Sequence, residues 1–388
     1  MKKNKLFFIF IILIIISILL LLSNNSIENF DTTESYDIII IGGQSNACGR
    51  GTRNACDSTR LPGCTSINLR RDSTRKGVIS DIPNMYEFPL ADIKQFSGNY
   101  TNRDTSLNNK IIGNVSYIED IQPRFNNITP IGNSFGYEFS REYLLGIARP
   151  NKRKVLIVGC GYGGSSMGPS VTPNNMIRHY WKVPNGTTDN EEYSLYKKTI
   201  KRLQTLKEVL GPNNRSQVVA FLWHQGESDA GSAGDPTNPR NANNYKSALK
   251  SSLSGMRTAI MNIFNQTYVY PIMLGGLNPD RIVNRITNVP ITPYSFFSEM
   301  SRIISEVSNE KLPNNKTINP YYIPKSIFIP TGALSNTGSY NFTRKLEGDS
   351  NMDASGNIIH NNTGQSHFSA TSNRELGKRY FYFYNMIK

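Results

Sequence analysis

The stretch Asp37-Ile-Ile-Ile-Ile41-Gly-Gly-Gln-Ser45-Asn-Ala-Cys-Gly-Arg-Gly51 constrains this chain more than any other. Its β-branched run, Ile38 to Ile41, stops abruptly at Gly42-Gly43. A run of this kind bounded by glycines predicts a buried strand ending in a tight turn. Ser45 follows directly, between the side-chain amides of Gln44 and Asn46. A serine on a sharp turn at the end of a central strand presents its hydroxyl to a ligand, and its own N–H is directed to the same space. That pairing of nucleophile and oxyanion donor suits acyl transfer. Taken alone, the stretch also reads as an ordinary polar turn, so the rest of the chain has to decide.

From Ser134 the pattern is helical, with Phe135, Phe139, Tyr143 and Leu144 at three- and four-residue spacing and an end near Pro150. Lys154–Val158 predicts a second buried strand, stopping at Gly159-Cys-Gly-Tyr-Gly-Gly164-Ser. A helix is expected over Glu191–Leu210, ended by Gly211-Pro212, and a third strand over Val218–Trp223. Further helices are expected at Tyr245–Phe264 and Tyr294–Glu306, and further strands at Tyr268–Leu274 and Ser326–Ile329. The last helix is expected near Ser372, where Ser372-Asn-Arg-Glu375 has the form of a capping box. Strands alternating with helices predict an α/β fold with a parallel sheet and helices on both faces. Residues 52–130 have poor periodicity and many Gly, Asn, Asp and Ser, and are expected to form a long excursion with little regular structure.

The N-terminus carries a separate signal. Residues 1–5 are basic and residues 6–22 form an uncharged apolar run, at the short end of the length that spans a bilayer. No small-residue cleavage site follows. A transmembrane signal anchor is therefore expected at 6–22, with residues 1–5 cytosolic and residues 23–36 a polar linker. The domain at 37–388 would then be lumenal, extracellular or on a virion surface. The four cysteines suit that compartment. Cys48 and Cys160 both lie just past strand ends, and Cys56 and Cys64 are spaced to close a small loop. Asn-x-Ser/Thr sequons at Asn114, Asn127, Asn265 and Asn341 fit a glycoprotein only weakly in so asparagine-rich a chain. The net charge is +14, but the basic residues are scattered and form no nucleic-acid motif. The histidines are dispersed and there is no Cys-x-x-Cys, so neither a metal nor another cofactor is expected.

In a parallel sheet, ligands bind outside the carboxyl ends of the strands. Three strand ends carry unusual sequences: Gly42-Gly-Gln-Ser45, Gly161-Tyr-Gly-Gly164-Ser165 and Trp223-His-Gln-Gly-Glu-Ser-Asp229. Glycines at the second end let backbone N–H groups approach a ligand. The Gln225 amide and the Ser45 N–H complete a set of oxyanion donors at one edge. A base is needed as well. His367, in Gln365-Ser-His-Phe-Ser369 at the border of the last helix, is the candidate, whereas His224 at a strand end reads as structural.

With these residues in view, the chain resembles the SGNH hydrolases, in particular the branch of sialate O-acetylesterases and carbohydrate esterase family six acetylxylan esterases. Gly43-Gln-Ser-Asn46 with Gly49-Arg-Gly51 resembles the first block of that branch, Gly163-Gly-Ser165 the second and Trp223-His-Gln-Gly-Glu-Ser-Asp229 the third. Gly132-Asn-Ser-Phe-Gly136 is similar to a further segment, and His367-Phe-Ser with Arg374-Glu-Leu-Gly377 to the last block. The resemblance covers about residues 37–385. It implies a flavodoxin-like three-layer α/β/α sandwich and metal-free ester hydrolysis of acetylated carbohydrate. It implies Ser45 as nucleophile, His367 as base and Ser45, Gly163, Gly164 and Gln225 around the oxyanion, with Gln44, Asn46 and Arg50 at the substrate. The family's aspartate three residues before the histidine is replaced here by Gly364. Glu227 is the candidate substitute, with Asp229 and Asp353 weaker ones. Loss of that carboxylate is also the best argument for the alternative, a glycan-binding or surface-structural protein without turnover.

Overall fold

The computed structural model describes residues 35–47, 85–88, 112–113, 135–148, 150–151, 153–170, 177–184, 193–234, 237, 239–278, 296–311, 317–334, 342, 346, 368 and 370–388. The strand at the front of the chain, β1 (Tyr36–Gly43), is buried along its whole length. Its four isoleucines are at most 3% exposed, each contributing about 2 kcal/mol of apolar burial. A strand hydrophobic on both faces belongs in the middle of a covered parallel sheet, and β1 lies there. On one side it pairs in parallel with β4 (Lys154–Gly159) and on the other with β5 (Gln217–His224). Beyond β5 come β6 (Ile272–Gly275) and β7 (Ser326–Ile329), both parallel.

Two further strands fall within the long excursion. Strand β2 (Met85–Phe88) adds in parallel to the free side of β4, and β3 (Ile112–Gly113) caps it antiparallel. The seven-stranded order is β3-β2-β4-β1-β5-β6-β7. Its five long-recognised strands, β4-β1-β5-β6-β7, follow the doubly wound order 2-1-3-4-5. The excursion thus supplies sheet edge, a role its local composition did not reveal.

Helices cover both faces. Ile38, Ile40, Leu156 and Val158 point into one core layer with residues of α2 (Leu195–Leu210), α4 (Pro239–Ile263) and α5 (Phe297–Glu306). Ile39, Ile41, Val155 and Ile157 point into the other, against α1 (Phe135–Tyr143), a π-helical turn at Leu144–Ala148 and α6 (Ala370–Ile387). The alternation along β1 divides the core in two, as the period of a strand requires.

The helix boundaries differ from the sequence expectation in instructive ways. Helix α2 starts at Leu195, four residues later than expected, because the Ser194 hydroxyl accepts the Lys197 N–H as an N-cap. Helix α4 starts at Pro239, six residues earlier, at a position that proline favours because its missing N–H would be unpaired there anyway. Strand β6 is shorter than Tyr268–Leu274, beginning only after Pro271. Helix α6 begins at Ala370, so Ser372 sits inside its first turn and is not the cap. The chain is fixed just before this point by Phe368, whose carbonyl accepts from the Asn373 side chain. A short α3 (Ala230–Ala233) follows β5. The apolar run at 6–22 lies outside the described residues. Among the described residues, no helix is long and apolar enough to cross a membrane.

Helices α1 and α6 cross where Gly377 meets the α1 backbone. A Cβ on Gly377 would stand 2.4 Å from the Phe135 carbonyl oxygen. Alanine normally stabilises a helix interior over glycine by about 1 kcal/mol. Here the sign reverses: Gly377→Ala is expected to lower stability by about 1–3 kcal/mol, read as a reduced urea midpoint.

Candidate active site

The carboxyl ends of β4, β1 and β5 are neighbours, so the three glycine-rich stretches meet there. The Gln44 N–H donates to the His224 carbonyl at 2.9 Å, and the Tyr162 N–H donates to the Gly43 carbonyl at 2.9 Å. The approach of β1 to β5 is close enough to require glycine. Gly43 has φ +126°, and a Cβ there would lie 1.9 Å from the His224 carbonyl oxygen. Ser45, expected as the nucleophile, sits on the turn just beyond, 4% exposed.

Asn46 is the hub behind that turn. Its side-chain Nδ2 donates to Glu227 Oε1 at 2.6 Å and lies 3.5 Å from His224 Nε2. Its Oδ1 accepts the backbone N–H of Phe368 at 3.1 Å. Glu227 Oε1 also faces His224 Nε2 at 3.4 Å. Glu227 is 5% exposed, and its second oxygen, Oε2, is buried without a hydrogen-bond partner among the described residues. His224 is fully buried against the rings of Phe135 and Phe368, and Tyr380, stacked on Phe135, donates to the Trp223 carbonyl. This placement fits the structural role expected for His224.

Gln44 and Gln225 form a second layer. Gln44 Oε1 accepts the Ser228 N–H at 3.3 Å and faces Gln225 Nε2 at 3.4 Å. Gln225 Nε2 makes its short contact, 2.5 Å, with Asp229 Oδ2, and lies 3.4 Å from the Ser165 carbonyl. The Tyr245 hydroxyl donates to Gln225 Oε1 at 2.9 Å. Gln44 and Asn46, expected at the substrate, therefore turn these polar contacts into the protein and hold the turn from behind. Tyr245 was not singled out from the sequence, since an aromatic on a helix face reads as core. Its hydroxyl partner becomes visible only when α4 packs against β5.

The second strand end forms the turn Tyr162–Ser165, with the Ser165 N–H donating to the Tyr162 carbonyl at 3.3 Å. Ser165 Oγ donates to the same carbonyl and accepts from Trp181 Nε1. Gly164 is exposed with φ +73°, and a Cβ there would meet nothing within 4 Å. Cys160, beneath this turn, is a buried free thiol. Burial raises its pKa, which disfavours the reactive thiolate. Arg50, Cys48, Asp353, His360, Gly364 and His367 lie outside the described residues.

Asp229 is half-buried, and both of its oxygens face the Met167 N–H, at 3.2 and 3.0 Å. Desolvation pushes its carboxyl up to about 6, opposed by the hydrogen bonds from Gln225 and Met167 and by the Arg178 charge.

Residues 115–278 match the family model described as carbohydrate esterase, sialic acid-specific acetylesterase. No curated protein matches in sequence. Among solved structures, NanS is similar at 15% identity, with 91% of this chain and 98% of that one covered and a TM-score of 0.49. A protein from Arabidopsis thaliana is similar at 13% identity, with the same 91% and 98% covered and a TM-score of 0.47. A carbohydrate acetylesterase from Xanthomonas citri matches at 14% identity, over 69% of this chain and 47% of that one, with a TM-score of 0.35. The family match spans the strand ends after β4 and β5, and the chain is an ester-hydrolysing enzyme.

The raised Asp229 carboxyl has a pH signature. A carboxyl lifted above its unfolded value of 3.8 binds its proton more tightly in the folded state. Its favourable contribution is complete below that value and is lost as pH rises through about 6. The stability of the native protein relative to Asp229→Asn is therefore expected to fall between pH 4 and pH 7, by on the order of 2–3 kcal/mol. Urea titrations of both proteins across that range read the difference directly.

Proposed function

We propose that this ester hydrolase removes O-acetyl groups from carbohydrate, sialic acid or an acetylated polysaccharide, through an acyl-enzyme on Ser45. The observation that carries the reading is the gathering of the three strand ends behind Ser45, with Phe368 bonded to Asn46 at the same place. The Phe368 nitrogen is covalently joined to residue 367, the candidate base. Glu227 supports the same reading: its unpartnered Oε2 is a buried acceptor, as the orienting acid of a serine–histidine pair requires.

In this mechanism His367 takes the Ser45 proton as Oγ attacks the acetyl carbonyl. The tetrahedral oxyanion rests on the N–H groups of Ser45 and of the Gly163–Gly164 turn. Gln225 contributes the amide hydrogen that is held only by contacts of 3.4 Å. Collapse breaks the ester bond, and the sugar hydroxyl leaves with the proton from His367. Water then attacks the acyl-enzyme, again losing its proton to His367, and acetate is released from Ser45. Glu227 replaces the acid that is missing at Gly364 and stabilises the histidine while it carries the proton. Arg50 contacts the sugar. The run at 6–22 anchors the enzyme in a membrane, with the catalytic domain lumenal, extracellular or on a virion surface.

The full-length chain in detergent is expected to hydrolyse 4-nitrophenyl acetate. Ser45→Ala should lower kcat by about 10³-fold or more, and Glu227→Gln by about 10²–10⁴-fold. Full activity in Ser45→Ala would remove the nucleophile assignment, and an inert wild-type protein would favour a glycan binder. Acetate release from a panel of O-acetylated sialosides and acetylated xylan identifies the sugar.

A further inference from the structure

Asp229 breaks a local rule. It stands at the N-cap of α3, where an aspartate ordinarily accepts a hydrogen bond from the helix backbone. Here no side-chain cap is made. The carboxylate is turned away, half-buried, onto two segments that come from different strand ends. One is Gln225, whose Nε2 lies 2.5 Å from Oδ2. The other is Met167, three residues beyond Gly164, whose N–H reaches both oxygens. Among the described residues no cation is in contact with it, so even partial removal of this carboxylate from water is costly. A residue that gives up a favourable cap and accepts that cost marks a site where function outranks local stability.

We propose that Asp229 is a positioning residue of the oxyanion site, its carboxylate clamping the Gln225 amide to the turn that carries Gly163 and Gly164. This rests on the esterase reading above. A carboxylate is suited to the task because it only accepts: both segments present N–H donors, and two oxygens serve both. Asparagine would offer one oxygen and one N–H, which sets donor against donor on one side. The other end of the Gln225 amide is held by the Tyr245 hydroxyl, at 2.9 Å from Oε1. The amide plane is thus fixed at both ends, and one hydrogen is left with only the long contacts to Ser165 and Gln44. Donors fixed in advance toward the developing charge act on the transition state and not on substrate binding.

The test is steady-state kinetics of the full-length chain on 4-nitrophenyl acetate, with phenylboronic acid as a tetrahedral mimic. Asp229→Asn is expected to lower kcat by about 10–100-fold with KM within about twofold, and to weaken the boronate in parallel. The decisive readout is a double-mutant cycle. In a Gln225→Ala background the same Asp229→Asn change should cost less than about twofold, because the group it acts through is gone. Tyr245→Phe removes one hydroxyl from the opposite end of the amide and should show the same kcat loss at constant KM. Wild-type kcat in Asp229→Asn, or an equal loss with and without Gln225, overturns the clamp. Should Asp229→Asn fail to fold, unchanged kcat in Tyr245→Phe overturns it. Ser45→Ala separates the two readings: if it abolishes hydrolysis while Asp229→Asn is unaffected, only the clamp falls. If it leaves hydrolysis intact, the esterase reading falls first.

Discussion

One side-chain amide holds the site together. Asn46 bonds Glu227, 181 positions later, and the Phe368 amide, 322 positions later, with a single planar group. It is fully buried, so its bonds are made where water cannot substitute for them. An unmade bond there would leave a carboxylate oxygen or a backbone N–H desolvated and unpaired, at about 1–3 kcal/mol each. The first strand, the third strand end and the start of the last helix therefore have one arrangement in which all their polar groups are satisfied. Ser45 is the residue next to this hub and inherits its position.

The sheet makes the hub possible. With β1 between β4 and β5, the turn after β1 is flanked by the turns after both neighbours. The approach is closer than ordinary strand ends allow. Gly43 lies against the His224 carbonyl with positive φ, and Gly42 lies against the rings of Phe221 and Trp223. Any side chain at these two positions would push β1 away from β5 and lift Asn46 off Glu227. The glycines serve the geometry of the site first, and the strand merely tolerates them.

Two acids two residues apart, Glu227 and Asp229, end in different environments. Between β5 and α3 the chain turns at Gly226, with φ +145°. Glu227 is directed to Asn46 and His224. Asp229 is directed to Gln225 and Met167. Both were candidates for one role when only their order along the chain was known. The fold separates them: Asp229 already has donors on both oxygens, whereas Glu227 keeps one oxygen unpaired.

The sequence by itself determined the α/β class and the positions of the central strands, because runs such as Ile38–Ile41 and Val218–Trp223 suit little else than strands buried on both faces. It also marked the three strand ends, since glycines beside polar residues at such a border are a local feature. Tertiary structure decided what local pattern cannot encode. Helix ends moved to Ser194, Pro239 and Ala370, where caps, turns and docked neighbours outweigh periodicity. Met85–Phe88 joined the sheet only because β4 offered it an unpaired ladder. The rings of Phe135 and Phe368 against His224 and the Tyr245–Gln225–Asp229 chain join residues from separate elements, and their meaning exists only once those elements pack. Hydrophobic pattern acts over a few residues, whereas hydrogen-bond satisfaction in a buried site is a condition on the whole fold.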